Sequence, residues 1–326
     1  MRSIDEEFVE FDRPDVPGLA LMVIENGEAS VVRAYGLAHL ETRVPCQPHT
    51  NFRLASVTKP FTAMAVMILA GNGALFLDDK LPRFFPGFPP YGNEITIRHL
   101  LTHTSGLLNY EELIPPGTTA QLHDRDVLEI LRQQDKTHFR PGTRFRYSNG
   151  GYALLALIVE VVSSRTFAEF LRAKIFLPLG MNGTVAYEAG QPAVPHRALG
   201  YSRRGAAFEQ TDQSLTSAVL GDGGIYSSVL DLLKWDQALY TEKLVSRSML
   251  QQAFTPHSSS SDVPGSGYGF GWYVKRRDGE ERLWHHGSAC GFSTSFHRVP
   301  ERKWSVILLA NRSHAGLEDI VPKIAP

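Results

Sequence analysis

The amino-acid sequence predicts an α+β fold in which strands from both ends of the chain form one antiparallel sheet flanked by helices. Runs typical of strands lie at residues 18–35 and 268–310, and the stretch between them shows mostly helical periodicity. With 326 residues, 43% of them hydrophobic, the chain can bury one large core or two moderate ones. We therefore expect a single domain over residues 1–326, divided into an α/β subdomain (about 1–75 and 215–326) and an inserted, mostly helical subdomain (about 76–214).

The first strands are predicted to form a β-hairpin. The segments Gly18–Ile24 and Ala29–Tyr35 flank Asn26-Gly27, a dipeptide that favours a tight hairpin turn. Towards the other end, four further segments have the composition of strands, and Asp278-Gly279 joins the first two: Tyr268–Lys275, Arg282–His285, Phe292–Val299 and Trp304–Ala310.

Helical periodicity characterises the middle of the chain. Loops rich in proline and glycine, such as Phe85–Pro90, separate the predicted helices. These helices are Thr62–Leu69, Arg98–Leu101, Arg125–Gln133, Gly151–Val162, Phe167–Phe176 and Val229–Tyr240.

Composition and charge indicate which class of molecule the protein binds. A formal net charge of -1 without runs of like charge argues against a nucleic-acid binder, so we expect a small-molecule or peptide substrate. The two cysteines, Cys46 and Cys290, form no disulfide framework or Cys-x-x-Cys metal site. No apolar run reaches membrane-spanning length, and the first residues lack the apolar core of a secretory signal. The sequence as written predicts a cytoplasmic protein, or a periplasmic or secreted one if a leader has been removed; it carries no signal for oligomeric state.

Ser56-Val57-Thr58-Lys59 precedes an apolar helix and is the only Ser-x-x-Lys in the chain. The spacing places a hydroxyl and an amine one helical turn apart, so that a buried lysine can take the serine's proton. Pro60 fits the first helical turn, where a missing N–H costs little. Ser56 is therefore a candidate nucleophile, although an ordinary N-cap beside a solvated lysine has the same pattern.

Two further segments offer the groups that an activated serine needs. Tyr147 and Asn149 lie two residues apart in a polar turn before a helix, and can present a phenol and an amide to one cavity. Tyr91-Gly92-Asn93 has the same pattern. His285-His286-Gly287 lies between two strand-like runs, where Gly287 allows a ligand to approach the backbone closely. His314-Ala315-Gly316 is a second match, but no strand follows it.

Other hydrolase classes fit the sequence less well. His99 and His103 lie four residues apart on a probable helix, but Leu100 stands where a zinc hydrolase has glutamate, and no third ligand is evident. We therefore expect no metal and no cofactor. The Gly-x-Ser-x-Gly motif of α/β-hydrolases does not occur.

Taken together and in this order, the three segments resemble those of the serine β-lactamase and penicillin-binding-protein superfamily. The similarity is to its class C-like branch, which includes β-lactamases, D-alanyl-D-alanine carboxypeptidases, D-aminopeptidases and esterases. It runs from Pro17 to about Asn311, and the segments Thr96–Leu107 and Gly223–Ser228 add to it. The resemblance implies a β-lactamase/transpeptidase-like fold with a single catalytic domain.

The resemblance also implies a role for each site residue. Ser56 is the acylated nucleophile, Lys59 and Tyr147 share its proton, and Asn149 orients Lys59 and the substrate amide. The third motif is His285-His286-Gly287, and the backbone N–H groups of Ser56 and Ser288 form the oxyanion hole.

The third motif departs from the pattern of penicillin-active members, which carry lysine where this chain has His285. A histidine is largely neutral at pH 7, so recognition of a substrate carboxylate is expected to be weaker. The expected function is a serine hydrolase of esters or amides, of D-amino acids or peptides, with loops 111–123 and 186–213 setting its specificity. The alternatives are a true class C-like β-lactamase or D-alanyl-D-alanine carboxypeptidase, and a non-catalytic relative that binds peptidoglycan fragments or a protein.

Overall fold

The computed structural model describes residues 4–187 and 193–324. Its strands, in chain order, are β1 (Leu19–Glu25), β2 (Glu28–Tyr35), β3 (Leu37–His39), β4 (Val44–Pro45), β5 (Phe52–Arg53), β6 (Val185–Ala186), β7 (Tyr201–Arg204), β8 (Ala207–Gln210), β9 (Ile225–Ser227), β10 (Ser258–Ser259), β11 (Gly267–Tyr268), β12 (Tyr273–Arg277), β13 (Glu280–Ala289), β14 (Phe292–Val299) and β15 (Trp304–Ala310). Its α-helices are α1 (Lys59–Gly71), α2 (Ile97–Leu101), α3 (Asp124–Arg132), α4 (Asn149–Ser163), α5 (Phe167–Leu171), α6 (Leu177–Leu179), α7 (Leu220–Gly223), α8 (Val229–Ala238), α9 (Arg247–Phe254) and α10 (Leu317–Ile324).

The main sheet joins the two ends of the chain, as the sequence predicts. Its order is β10-β11-β12-β13-β14-β15-β1-β2, and all neighbours are antiparallel. Strand β1 lies between β15 and β2, with Leu19 opposite Ala310. The predicted hairpin turn is present, because Asn26 and Gly27 both have positive φ.

Alternating side chains give the sheet two buried faces. On β1, Leu19, Leu21 and Val23 belong to an outer cluster, which α10 covers together with Phe8 and Phe11. Ala20, Met22 and Ile24 face the larger inner core, which contains helices α1 and α4. Helix α1 is buried from Lys59 to Leu69, so its N-terminal polar groups lie inside the protein.

The structure divides one predicted strand. Residues Tyr268–Lys275 form β11 and β12 with a sharp turn between them, in which Gly271 has a φ of 81°. A Cβ at Gly271 would lie 2.8 Å from the backbone of Pro60, so this turn packs directly on the start of α1. None of the helices in the two described segments is both long and apolar enough to span a bilayer.

Candidate active site

Ser56 lies in a 3-10 turn, Ala55–Thr58, that leads straight into α1. Pro60 occupies the first turn of the helix, as predicted. Ala55 has a φ of 48°, a left-handed conformation that is unfavourable for alanine. Backbone strain therefore sits directly before the candidate nucleophile.

Lys59 is fully buried one turn after Ser56. Its Nζ donates to Ser56 Oγ (3.1 Å), to Asn149 Oδ1 (2.9 Å) and to the backbone oxygen of Asp222 (3.0 Å). Burial lowers the pKa of Lys59, while the carboxylates of Asp222 and Glu111 raise it. The three hydrogen bonds use every donor of the ammonium group.

Asn149 is held by a residue on the opposite side of its amide. Its Nδ2 donates to Glu111 Oε1 at 2.8 Å, which directs Oδ1 towards Lys59. Asn149 begins α4, where the N-cap Ser148 accepts a hydrogen bond from the Gly151 N–H. A helix start therefore fixes the amide that sequence analysis predicts beside the lysine.

Tyr147 lies over Lys59, with 4.8 Å between Nζ and the centre of the ring. Burial raises the pKa of Tyr147 well above 10, and a hydrogen bond with Ser56 opposes this shift. The ring also packs on the buried His103, whose Nδ1 accepts the Ser148 N–H at 3.1 Å. His103 therefore supports the turn that carries Tyr147.

His285 is buried on β13 and is neutral. Its Nδ1 lies 2.7 Å from the backbone oxygen of His286, which can only accept, so Nδ1 carries the proton. Nε2 then accepts from the Tyr268 hydroxyl at 3.0 Å. Burial and the charge of Lys59 lower the pKa of His285 well below 6.5. The third motif thus offers no positive charge near neutral pH.

Gly287 allows a close approach by the protein itself, and it also lines the cavity beside Ser56, where the sequence predicts that a ligand approaches its backbone. A Cβ there would lie 2.3 Å from the Leu54 oxygen and 2.4 Å from Thr294 Oγ1. This contact seats β13 against the segment that leads to Ser56.

Two cavities meet at Ser56 and Ser288, which line both. The larger cavity, about 980 Å³, continues past Tyr147 and His285 along β13 towards α10. The smaller, about 270 Å³, contains Asn149, Glu111 and Asp222. Each cavity thus holds a different part of the predicted site.

Sequence analysis misses three of these residues. Glu111 comes from one of the loops expected to set specificity, but its contact with Asn149 has no motif. Asp222 contacts Lys59 through a backbone oxygen, which any residue could supply. His103 appears in the sequence analysis only as a candidate zinc ligand. Residues 188–192 of the other specificity loop lie outside the described segments.

The other residues that the sequence offers as site candidates do not come together in the structure. Helix α2 ends at Leu101, before His103, and Nδ1 of His99 accepts from the Thr96 N–H. Over residues 4–187 and 193–324, no three histidine, cysteine, aspartate or glutamate side chains are grouped to hold a metal ion. Tyr91 donates to the Leu131 backbone oxygen, away from Ser56. Cys46 and Cys290 are both free thiols.

Comparison with known proteins gives one consistent family. The family model described as Beta-lactamase matches residues 4–323. Penicillin-binding protein 4* of Bacillus subtilis (strain 168) is 32% identical over 90% of this chain and 67% of its own length. Protein flp of Staphylococcus aureus (strain MRSA252) is 27% identical over 95% of this chain and 61% of its own length. This chain thus spans about two thirds or less of these relatives.

Solved structures share the fold. The penicillin-binding protein of Bacillus halodurans is 28% identical, with a TM-score of 0.86 over 99% of this chain and 98% of that one. A D-stereospecific amidohydrolase from Streptomyces sp., 24% identical, has the same fold, with a TM-score of 0.82 over 98% of this chain and 96% of that one. The predicted antiparallel sheet with flanking helices is confirmed. The chain belongs to the Beta-lactamase family, and so to the serine hydrolases of the β-lactamase and penicillin-binding-protein superfamily.

Proposed function

We propose that this protein hydrolyses esters or amides through an acyl-enzyme on Ser56. The hydrogen bonds of Lys59 carry this proposal. Asn149 Oδ1 and the Asp222 backbone oxygen can only accept, so they take two N–H groups of the lysine in either protonation state. When Lys59 is neutral, its lone pair is left facing Ser56 Oγ, 3.1 Å away. This is the arrangement that a base needs to take the serine proton.

The opposite pKa shifts of Lys59 and Tyr147 divide the proton transfers between them. Burial favours the neutral amine of Lys59 and the protonated phenol of Tyr147. Lys59 therefore takes the proton from Ser56 as Oγ attacks the carbonyl carbon. Tyr147 gives its proton to the leaving group as the bond to that group breaks, and the proton held by Lys59 replaces it. Water then attacks the acyl carbon, which releases the acid and Ser56.

This assignment gives each cavity a role. Tyr147 lines the larger cavity and not the smaller one, so the leaving group occupies the larger cavity. Asn149 lines the smaller cavity, which receives the acyl group. Ser56 and Ser288 line both cavities, and in this proposal their backbone N–H groups stabilise the oxyanion.

Charges near Ser56 favour an amine over a carboxylate in the substrate. Neutral His285 supplies no cation for the carboxylate of a penicillin or of a D-alanyl terminus. The acyl side carries the carboxyl groups of Glu111 and Asp222, and the two cationic side chains beside them, Arg53 and Lys59, are both buried. Amides and esters of amino acids or peptides, with a free amino group on the acyl part, fit this arrangement best.

The test compares initial rates of wild type and Ser56→Ala on p-nitrophenyl butyrate, D- and L-alanine p-nitroanilide and a chromogenic cephalosporin. We expect ester and anilide cleavage to exceed cephalosporin turnover, and Ser56→Ala to lower it by about 10³-fold or more. Ser248→Ala, on the exposed side of α9, is the control. Mass spectrometry of the wild type with a slow substrate should find the acyl group on Ser56. Near-wild-type rates in Ser56→Ala would exclude the mechanism, and faster cephalosporin turnover would make the protein a β-lactamase.

A further inference from the structure

The larger cavity extends well beyond the atoms that the reaction needs. It follows β13 beyond the Tyr273–Trp284 pair, where the pairing of β13 with β12 stops, and it reaches the N-terminus of α10. Its far part is lined by His286, His297 and the first turn of α10. A substrate with a small leaving group would leave this part empty.

The wall of the larger cavity carries negative charge. Asp262, Glu318 and Asp319 line it, and among the described residues no lysine or arginine does. Burial raises the pKa of Tyr273, and the charges of Asp262 and Glu318 raise it further, so both carboxylates act on one side chain of the cavity wall. The α10 N-terminus contributes about half a positive charge, which three carboxylates outweigh.

Unpaired polar atoms give a second, independent sign of a ligand. Nδ1 of His286 and Nε2 of His297 are buried without a hydrogen-bond partner in the described part of the chain, and the two rings lie 4.8 Å apart. Burial lowers the pKa of both imidazoles, so they add hydrogen-bonding capacity but little positive charge. Buried polar atoms are usually paired, and a polar ligand would pair these nitrogens once the two rings turn them towards the cavity.

We propose that the larger cavity is a subsite for a leaving group that carries a positive charge, such as an alkylammonium chain or a basic peptide side chain. The inference rests on the proposed function, because that function places the leaving group in this cavity. The carboxylates of Asp262, Glu318 and Asp319 attract the cation, while the imidazoles of His286 and His297 offer hydrogen bonds to polar groups of the same ligand. An anionic leaving group is disfavoured by the same charges.

The test uses three butyrate esters that differ only at the end of the leaving group: 6-ammoniohexyl, heptyl and 6-carboxyhexyl butyrate. We expect kcat/KM to fall in that order, with about tenfold between the cationic and the neutral ester at low salt. The ratio should shrink as ionic strength rises. In Glu318→Gln/Asp319→Asn the ratio should approach one. The matched control, Glu129→Gln/Asp135→Asn, removes two exposed carboxylates outside the cavity and should keep the ratio.

Two results would overturn the inference in different ways. If heptyl butyrate is cleaved with Ser56 dependence but the three esters react equally, the subsite does not exist and the proposed function stands. If none of the esters shows Ser56-dependent cleavage, the proposed function fails, and the subsite with it.

Discussion

Glu111 acts on Lys59 in two distinct ways. Its Oε1 accepts from Asn149 Nδ2, which turns the amide oxygen towards the lysine. Its negative charge also raises the pKa of Lys59, against the larger effect of burial. Glutamine at this position keeps an acceptor for Asn149 but removes the charge, so one substitution separates the two effects.

Glu111→Gln should move the acid limb of the pH profile of kcat/KM to lower pH. The active form of Lys59 in the proposed mechanism is the neutral amine, and activity is lost as the lysine becomes protonated. Removing a nearby carboxylate disfavours the protonated form and lowers the pKa of Lys59. Initial rates on p-nitrophenyl butyrate across the pH range measure the shift. Glu112→Gln, on the same loop but exposed, should leave the midpoint unchanged. A midpoint that rises or stays in Glu111→Gln would contradict this coupling.

The sequence identifies the residues that meet at the site better than it identifies what holds them. Ser56, Lys59, Tyr147 and Asn149 come together as predicted, and their roles remain proposals. Their motifs are readable because side-chain chemistry demands particular residue types. Asp222 contributes a backbone oxygen, which carries no residue preference, and Glu111 meets Asn149 only through the path of a loop.

The turn between β11 and β12 links the sheet to the start of α1. Gly271 has positive φ, and any Cβ there would collide with the backbone of Pro60 and the Lys59 oxygen. The sequence is rich in aromatic residues here, which predicts one strand over Tyr268–Lys275, although Gly269 and Gly271 interrupt the pattern. The run is broken because contact with a distant helix, which no local pattern encodes, requires a turn at this point.

Gly271→Ala should both destabilise the fold and lower activity. The methyl group adds a steric clash to the strain of a positive φ, for a loss of about 3 kcal/mol or more in the free energy of unfolding. Movement of the α1 start would displace Lys59, so kcat should fall as well. Gly279→Ala is the matched control, because Gly279 has a φ of 85° with nothing within 4 Å of the added Cβ. It should cost about 1 kcal/mol and keep kcat. Equal effects in urea unfolding and kinetics would argue against the contact.

Sequence periodicity predicts the long apolar helices and also the shorter α2 and α3. Helix α4, apolar through the core, corresponds to the predicted Gly151–Val162. Helices α9 and α10 are absent from the sequence prediction, and α10 contains Pro322, which opposes helical hydrogen bonding. Packing of α10 on the outer face of the sheet stabilises it in the fold.

A buried ion pair connects α8 to the middle of the sheet. Arg298 on β14 donates to Asp236 on α8 at 2.7 Å, and the side chains of both are fully buried. Ser305 on β15 donates to the same carboxylate oxygen. The pair therefore joins two strands and a helix inside the core.

Asp236→Ala should cost about 3–5 kcal/mol of unfolding free energy, because it leaves the Arg298 guanidinium buried without its counter-ion. The double variant Asp236→Leu/Arg298→Met removes both charges and should lose less. Unfolding in urea, followed by circular dichroism and tryptophan fluorescence, measures the difference. A single variant no less stable than the double variant would contradict this account.

The proposed active site draws on both predicted subdomains. Ser56 and Lys59 come from the first segment of the α/β part, and Tyr147, Asn149 and Glu111 from the helical part. The division at residues 75–76 and 214–215 remains a prediction. The predicted helical part lies between β1 and β15 in the sequence, although these two strands are neighbours in the sheet.

The pairing of Leu19 with Ala310 has a consequence for folding during synthesis of the protein. On the ribosome, β1 and β2 emerge long before β15, the strand that covers the other edge of β1. Contacts so distant in sequence form slowly, and an incomplete sheet exposes both apolar faces. The nascent chain must therefore remain protected until β15 has been synthesised. Ser56 is made well before that strand, but the sheet beside it is complete only when β15 has left the exit tunnel.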